Sequence, residues 1–280
     1  MELKDKIDYS INLIKRAEKL ALNMQPDGLW IGFSGGKDSQ VLLELVKLAQ
    51  VKYKAVYNVT TNDPPDNIYF IRRNYPEVLF SLPNRNFFKI VENRGLPSRL
   101  RRFCCAELKE NGGAGYVVLT GVRAEESVSR KRYSEVNVYS RRKEHKDRSK
   151  QRTIEDIIEH EHKCIKGKDK IMVYPIIKWT AEDILQFHTE RQLPKNICYE
   201  HSNRVGCMFC PFSTKKEMEY YANRYPKIKE SLIKSFDKYL SNKTDKQFET
   251  AEEYFDWWLS KLSIKQYKAQ KQQLTLTLQS

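Results

Sequence analysis

No apolar run in this 280-residue chain approaches the ~20 residues needed to span a bilayer, so a transmembrane helix and a membrane partner are excluded as expectations. Met1 to Leu22 mix Lys, Asp and Glu with spaced apolar side chains and lack the hydrophobic stretch of a secretory leader. The expected location is therefore cytoplasmic. Apolar residues, at 40%, fall short of the usual globular share. Internal repeats are absent, and only Lys265 to Gln273 approach low complexity. Cysteine is sparse, six residues, and in a reducing compartment thiols serve as metal ligands or redox groups rather than as structural disulfides. What is abundant is charge of one sign. Lys and Arg number 50 against 36 Asp and Glu, a net charge of +14. A basic field favours polyanions such as nucleic acid, nucleotides or an acidic protein, although a solvated surface also accounts for it.

Apolar spacing divides the chain. Leu3, Ile7, Ile11, Ile14, Ala17 and Ala21 recur at helical intervals and predict a first helix. Leu29 to Phe33 is a short apolar run suited to a buried parallel strand. Val41 to Leu48 then predict a helix, Tyr53 to Val59 a strand, Ile68 to Arg73 a helix, Val78 to Leu82 a strand and Phe87 to Asn93 a helix. Tyr116 to Thr120 and Met172 to Ile177 read as further strands, and Ala181 to Arg191 as a helix. This alternation predicts an α/β fold, a doubly wound, mostly parallel sheet of Rossmann type. The nucleotide-binding domain is expected over 1–212, interrupted by a basic, partly mobile insertion at 131–170. A C-terminal helical region is expected over 213–280, with Trp257 and Trp258 as anchors and Leu274 to Ser280 frayed.

Between the first strand and the second helix lies Ser34-Gly35-Gly36-Lys37-Asp38-Ser39. Paired glycines let a backbone turn tightly and approach an anion. The unpaired amides and dipole at the start of a helix favour negative charge there. Ser34 and Ser39 add hydroxyls and Lys37 a cation; Asp38 makes sense beside phosphate if it holds Mg²⁺ or orients an amide. The Walker pattern is excluded, since it needs four residues between Gly and Gly-Lys.

Four cysteines form two tight groups, Cys104-Cys105 and Cys207-Met208-Phe209-Cys210. A C-x-x-C turn lets two thiolates converge on one metal, whereas adjacent cysteines make a strained disulfide. Arg99, Arg101, Arg102 and Arg204 lie close by in sequence and favour thiolates. The set suits a four-cysteine site for iron–sulfur or for zinc. Cys198 reads either as a buried inert thiol or as a substitute ligand, and His160-Glu161-His162-Lys163-Cys164 either as a solvated stretch or as zinc ligands. Lys131 to Lys150, with eight Lys and Arg against three Asp and Glu and with Tyr133 and Tyr139 interleaved, fits a phosphate-tracking surface or a solvated insert.

The six-residue loop resembles the PP-loop of N-type ATP pyrophosphatases and of the related phosphoadenosine phosphosulfate (PAPS) reductases. Arg102-Phe103-Cys104-Cys105 with Leu108-Lys109 resembles the R-x-C-C-x-x-L-K segment of iron–sulfur sulfonucleotide reductases. Arg204 through Cys210-Pro211 resembles their R-x-G-C-x-x-C-P, Gly121 through Ser127 with Arg130 their G-x-R-x-x-E-S-x-x-R, and Tyr174 through Trp179 their P-I-x-x-W. The resemblance spans about Met1 to Phe212. It implies an adenine nucleotide alpha hydrolase-like fold, with ATP on Ser34, Gly35, Gly36, Lys37, Asp38 and Ser39. It further implies Mg²⁺ on Asp38, joined by Asp63, and substrate beside Arg123, Glu126, Ser127 and Arg130. A [4Fe-4S] cluster is implied on Cys104, Cys105, Cys207 and Cys210, with zinc as the alternative metal.

Two reactions share this scaffold. Reductases of the family use a cysteine in a C-terminal E-C-G-L-H motif, and no cysteine follows Cys210 here. The expectation is therefore ATP-dependent sulfur transfer, with Lys37, Asp38 and Arg123 as the catalytic set. Among relatives the pattern resembles most the sulfurtransferase of DNA phosphorothioation systems. That resemblance implies a nucleic-acid acceptor, DNA ahead of tRNA, and a cysteine desulfurase as sulfur donor. Sulfonucleotide reduction with an external thiol and a non-catalytic nucleotide-binding role are the alternatives.

Overall fold

The computed structural model describes residues 2–139, 153–155, 157, 169–242 and 247–279. His160, Glu161, His162, Lys163 and Cys164, and the stretch 140–150 of the basic insertion, lie outside them. The chain forms two compact units. The first comprises Met1–Val59, Pro65–Leu82 and Glu110–Val205; the second comprises Thr60–Pro64, Pro83–Lys109 and Gly206–Ser280.

In the first unit, helix α1 (Leu3–Met24) buries Leu13, Ile14, Ala17, Leu20 and Ala21, the stripe its sequence spacing anticipates. Strands β1 (Leu29–Gly32), β2 (Tyr53–Asn58), β3 (Leu79–Ser81), β4 (Val117–Thr120), β5 (Val136–Tyr139) and β6 (Lys170–Val173) form one sheet in the order β3-β2-β1-β4-β6-β5. All neighbours are parallel except β5 and β6. Ile31 pairs with Ala55 on one side and Leu119 on the other, and all three are buried, as strands covered on both faces require. Helix α2 (Lys37–Ala49) follows β1 and α3 (Pro65–Asn74) follows β2. The sheet is doubly wound: successive connections run outward in opposite directions from the β1/β4 boundary, the place where open α/β sheets bind ligands.

Three details depart from the expected layout. The strand expected over Met172–Ile177 is Lys170–Val173, because Tyr174 to Trp179 turn instead, with Ile177 N–H donating to Tyr174 O and Trp179 N–H to Ile176 O. Pro175 has no amide to offer a ladder. The stretch read as an irregular insertion contributes β5, an antiparallel edge strand, and buries Ile154 and Ile157. The last helix continues to Gln279, past the expected fraying point.

The domain boundary expected at 212 also falls elsewhere. The second unit begins at Gly206 and takes in two earlier segments, because Phe87, Ile90, Val91, Leu96, Leu108, Met208 and Phe209 bury against Leu232, Phe236, Phe255 and Trp258 of the C-terminal region. Its helices are α4 (Phe87–Arg94), α5 (Phe103–Leu108), α7 (Lys215–Arg224), α8 (Pro226–Ser241), α9 (Ala251–Ser260) and α10 (Ile264–Gln279), the first unit holding α6 (Ala181–Glu190). Local rules set their starts: Thr214 and Glu217 form a capping box, Pro226 occupies the first turn of α8, and Thr250 accepts from Glu253 N–H. Trp258 Nε1 donates to Pro97 O at 3.1 Å, tying the tail to the earlier segment. Among the described residues no helix is long and apolar enough to cross a membrane.

Lys170 is an unusual buried cation at the start of β6. It is 6% exposed, and its Nζ donates to Glu110 O (2.8 Å) and Gly112 O (2.6 Å). Burial pulls its pKa from 10.5 down to about 8, with Glu110 opposing. Between those two pH values the unfolded chain binds the extra proton, so stability rises as pH rises through that window. Replacing Lys170 by Met should remove an increment of about 1–3 kcal/mol between pH 8 and pH 10.5. Denaturant melts of both proteins at the two pH values measure it, and equal pH dependence would refute the assignment.

Candidate phosphate-loop site and four-cysteine group

β1 ends at Gly32 and α2 starts at Lys37, so the chain reverses its role within Phe33-Ser34-Gly35-Gly36. Gly35 takes φ +78°, and a Cβ there would lie 2.5 Å from Asn67 Oδ1. That amide cannot yield readily. Asn67 Nδ2 donates to Ser34 O and Tyr57 Oη, while its Oδ1 accepts from Asn196 Nδ2 at 2.7 Å. Asn196 Nδ2 and Gln40 Nε2 both donate to Gly35 O at 3.0 Å, and Tyr75 Oη donates to Gln40 at 2.7 Å. Asn67, Asn196 and Gln40 are buried, so each polar atom left unpaired there carries a cost.

The loop serines also act locally. Ser39 Oγ accepts from Ser34 N–H and donates to Gly36 O, and Ser34 Oγ accepts from Gly36 N–H at 3.3 Å. Lys37 N–H donates to Tyr199 Oη at 3.0 Å. Burial pushes the Tyr199 hydroxyl up to about 12, so a neutral phenol stands at the helix start, where the dipole favours an anion.

A second loop closes on the first turn of α2. A Cβ at Gly121 would sit 2.8 Å from Asp38 O and 3.2 Å from Ser39 N, so only glycine permits this approach. Two residues on, Arg123 is 6% exposed. Its Nε donates to Asp38 Oδ1 at 2.6 Å and its Nη1 to Glu125 Oε2 at 2.8 Å. Burial works against its charge, yet Asp38, Glu125 and Glu126 more than compensate and its pKa is raised. Glu125 also accepts from Ala181 N–H at the start of α6 (2.7 Å), and Glu126 accepts from Arg123 N–H and pairs with Arg130. Ser127 Oγ accepts from Arg130 N–H.

Ser34 through Ser39, Arg123, Glu126, Ser127 and Arg130 thus all lie in the first unit. Asp38 and Arg123 are directly joined, and Glu126 is joined to Arg130. Asp63 lies in the second unit, where its carboxylate accepts from Thr60 N–H (2.6 Å) and Thr60 Oγ1 (2.7 Å).

Sequence reasoning missed the residues that brace the loop. Asn67, Asn196, Gln40 and Tyr199 belong to no periodic pattern; Gln40, a polar side chain before the apolar run Val41-Leu42-Leu43, carried the most signal. His188 was missed too. Among the described residues its Nε2 is buried without a partner, and burial, then the Lys37 charge, hold its pKa down against Asp38. His188, Lys37, Gln40, Ile184, Leu193 and Tyr199 line a cavity of about 690 Å³.

The four expected cysteines lie together in the second unit. Cys104 and Cys105 ride on α5. The turn bearing Cys207 and Cys210 is clamped by buried Asn62: Met208 N–H donates to Asn62 O, Phe209 N–H to Asn62 Oδ1, and Asn62 Nδ2 to Phe209 O. The hydrogen bond with Cys105, burial, and the nearby Cys105, Cys207 and Cys210 raise the Cys104 thiol. Burial raises Cys207, whose sulfur lies 3.5 Å from Thr60 Oγ1. Lys109 opposes that rise: its ammonium hydrogen-bonds Cys207, and its pKa is raised by Cys207, Asp63 and Cys105. Among the described residues no three His, Cys, Asp or Glu stand in metal-holding geometry. Four thiols are nonetheless the donor chemistry of a thiolate-held metal, although their spacing does not close around one. Cys198 is buried in the first unit, its thiol pushed up to about 12 by burial.

Gly35→Ala should lower stability by about 1–3 kcal/mol, from the left-handed backbone and the Asn67 clash together. Gly115→Ala is the control, with φ +76° but its nearest neighbour 3.5 Å away. Thermal melts giving equal losses for both would remove Asn67 as the brace.

The chain is similar to several known proteins. The chain is 27% identical over 214 residues to an uncharacterized protein of Methanocaldococcus jannaschii, MJ0066, covering 71% of this chain and 39% of that one. It is 25% identical to a second, MJ0973, covering 80% of this chain and 52% of the relative. The chain thus spans about half the length, or less, of these relatives. A PAPS reductase from Candida auris, solved with phosphate, aligns with TM-score 0.45 at 14% identity over 74% of this chain and 95% of that one. A U34-tRNA thiolase from Methanococcus maripaludis, solved with its [4Fe-4S] cluster, aligns with TM-score 0.41 at 12% identity over 93% and 82%. Residues 28–213 match the phosphoadenosine phosphosulfate reductase domain, and the chain belongs to that family.

Proposed function

We propose that the chain is an ATP pyrophosphatase-type sulfurtransferase acting on nucleic acid, DNA ahead of tRNA. The observation that carries the reading is the braced glycine loop at the sheet's switch point, with Lys37 on it and Arg123 held against its first helical turn. A polyphosphate there would meet two cations and a helix dipole, and would take over the Lys37 amide that the Tyr199 hydroxyl now accepts from, an arrangement that acts by positioning and charge stabilisation. An acceptor oxygen attacks the α-phosphorus of ATP, the bond to the β-phosphate breaks, and pyrophosphate leaves. Hydrosulfide, freed from a cysteine desulfurase persulfide by a thiol reductant, then displaces AMP. Lys37 and Arg123 steady the phosphates. Asp38 orients Arg123 through one carboxylate oxygen and is the residue that would hold Mg²⁺. Cys104, Cys105, Cys207 and Cys210 would hold a [4Fe-4S] cluster, whose iron would carry sulfide.

A second reading, reduction of PAPS or adenylylsulfate with release of sulfite, is favoured by the family match. It needs a nucleophilic thiol beyond the group of four. Among the described residues that leaves Cys198, whose burial keeps it protonated.

Incubation with ATP, Mg²⁺, nucleic acid and a sulfide source should yield AMP and pyrophosphate, and Lys37→Ala or Asp38→Ala should cut the rate at least ~100-fold. ADP as sole product, or nucleotide affinity without turnover, would overturn the reading; sulfite from PAPS or adenylylsulfate would install the second. Anaerobic purification should give a brown protein absorbing near ~400 nm, as thiolate-held clusters do. A colourless preparation with one zinc per chain would replace the cluster with zinc.

A further inference from the structure

The second unit carries a basic turn that the proposed chemistry leaves unused. Ser98 to Arg101 fold back on themselves, Ser98 N–H donating to Arg101 O and Arg101 N–H to Ser98 Oγ. Arg99, Leu100, Arg101 and Arg102 are all exposed, Leu100 at 96%. Among the described residues none of the three arginines has a carboxylate partner, whereas nearby Arg94 is paired with Glu107 at 3.1 Å. Two of the three are nevertheless held in place. The guanidinium of Arg99 lies 5.9 Å and that of Arg102 5.4 Å from the centre of the Phe212 ring, and Arg99 Nε donates to Pro211 O at 3.4 Å. Phe212 is itself 43% exposed.

A lone exposed leucine means little. Here it sits at the tip of a turn whose neighbours are unneutralised guanidinium groups, beside an exposed ring. Guanidinium groups fixed without carboxylates are ready to take phosphate oxygens in bidentate fashion. Exposed apolar and aromatic surface next to them suits unstacked bases; a duplex keeps its bases stacked away from such a surface.

We propose that this turn grips an unpaired nucleic-acid strand, with Arg99, Arg101 and Arg102 on successive phosphates and with Phe212 and Leu100 against its bases. The inference rests on the nucleic-acid reading given above and names the form of the acceptor and the place that holds it. Arg102 precedes α5 and Phe212 follows Cys210, so a strand held there lies along the segments that carry both cysteine pairs.

Fluorescence anisotropy of the full chain tests this with a labelled single strand of about sixteen nucleotides, the matching duplex, and polyglutamate as competitor. The single strand should bind more tightly than the duplex. The double variant Arg99→Gln/Arg102→Gln should bind it at least tenfold more weakly and lower the slope of log affinity against log salt by about 1.4, ~0.7 for each phosphate no longer neutralised. Lys15→Gln/Lys19→Gln, on exposed positions of α1, removes the same charge and should change affinity less than about twofold. Phe212→Leu should erase the preference for the single strand, with circular dichroism confirming that each variant is folded. Equal effects of the arginine and lysine pairs, a preference for duplex, or full competition by polyglutamate would overturn the inference. Wild-type chain that binds no nucleic acid would bring down the functional reading as well, whereas tight binding that survives the arginine variant would remove this inference alone.

Discussion

The first unit depends on a single steric constraint: the backbone at Gly35 must turn left-handed where no Cβ fits. Such a turn is costly for any other residue and persists only when its surroundings over-determine it. Asn67, Asn196 and Gln40 do so with side-chain amides converging on Ser34 and Gly35, and Tyr75 fixes Gln40 in turn. Because this lattice is buried and each member is paired, the start of α2 and its dipole are aimed before any ligand arrives. Electrostatic stabilisation gains most from donors fixed in this way.

The charges around the loop are balanced against one another. Arg123, nearly buried, is neutralised by Asp38 and Glu125, and the phenol of Tyr199 occupies the Lys37 amide. Removing one partner from a buried pair leaves the other charge uncompensated. A bare anion entering here would compete with two carboxylates for Arg123. An anion that brings a divalent cation would ease this conflict, since positive charge beside the second Asp38 oxygen offsets the carboxylates while Arg123 stays held by the first. Nucleotide and Mg²⁺ would on this account enter together.

Much of this was legible beforehand because it rests on short-range patterns. Strand β1, the glycine loop and α2 follow from an apolar run, two glycines and a 3.6-residue stripe, and the family motifs marked both cysteine pairs. What escaped depended on distant partners. Asn196 reads as an ordinary loop residue until Gly35 and Asn67 are beside it, and His188 lies on a helix whose exposed side looks unremarkable. Strand β5 was hidden because Val136 to Tyr139 is a run too brief to stand out from its charged flanks, and its identity comes from β6. The division between the units was misread because Phe87 to Leu108 carry apolar residues that suit either core. Only the partners in the C-terminal region decide which one they join.

The order in which the segments alternate has a consequence for how the molecule is made. The chain passes from one unit to the other after Val59, Pro64, Leu82, Lys109 and Val205, so neither is a continuous stretch. The core that buries Phe87 and Ile90 includes Leu232, Phe236, Phe255 and Trp258, which leave the ribosome well after the glycine loop has been synthesised. During that interval the apolar residues of α4 and α5 lack the C-terminal part of their core. Closing so wide a loop is entropically slow, so the second unit completes its core only after the whole chain is made.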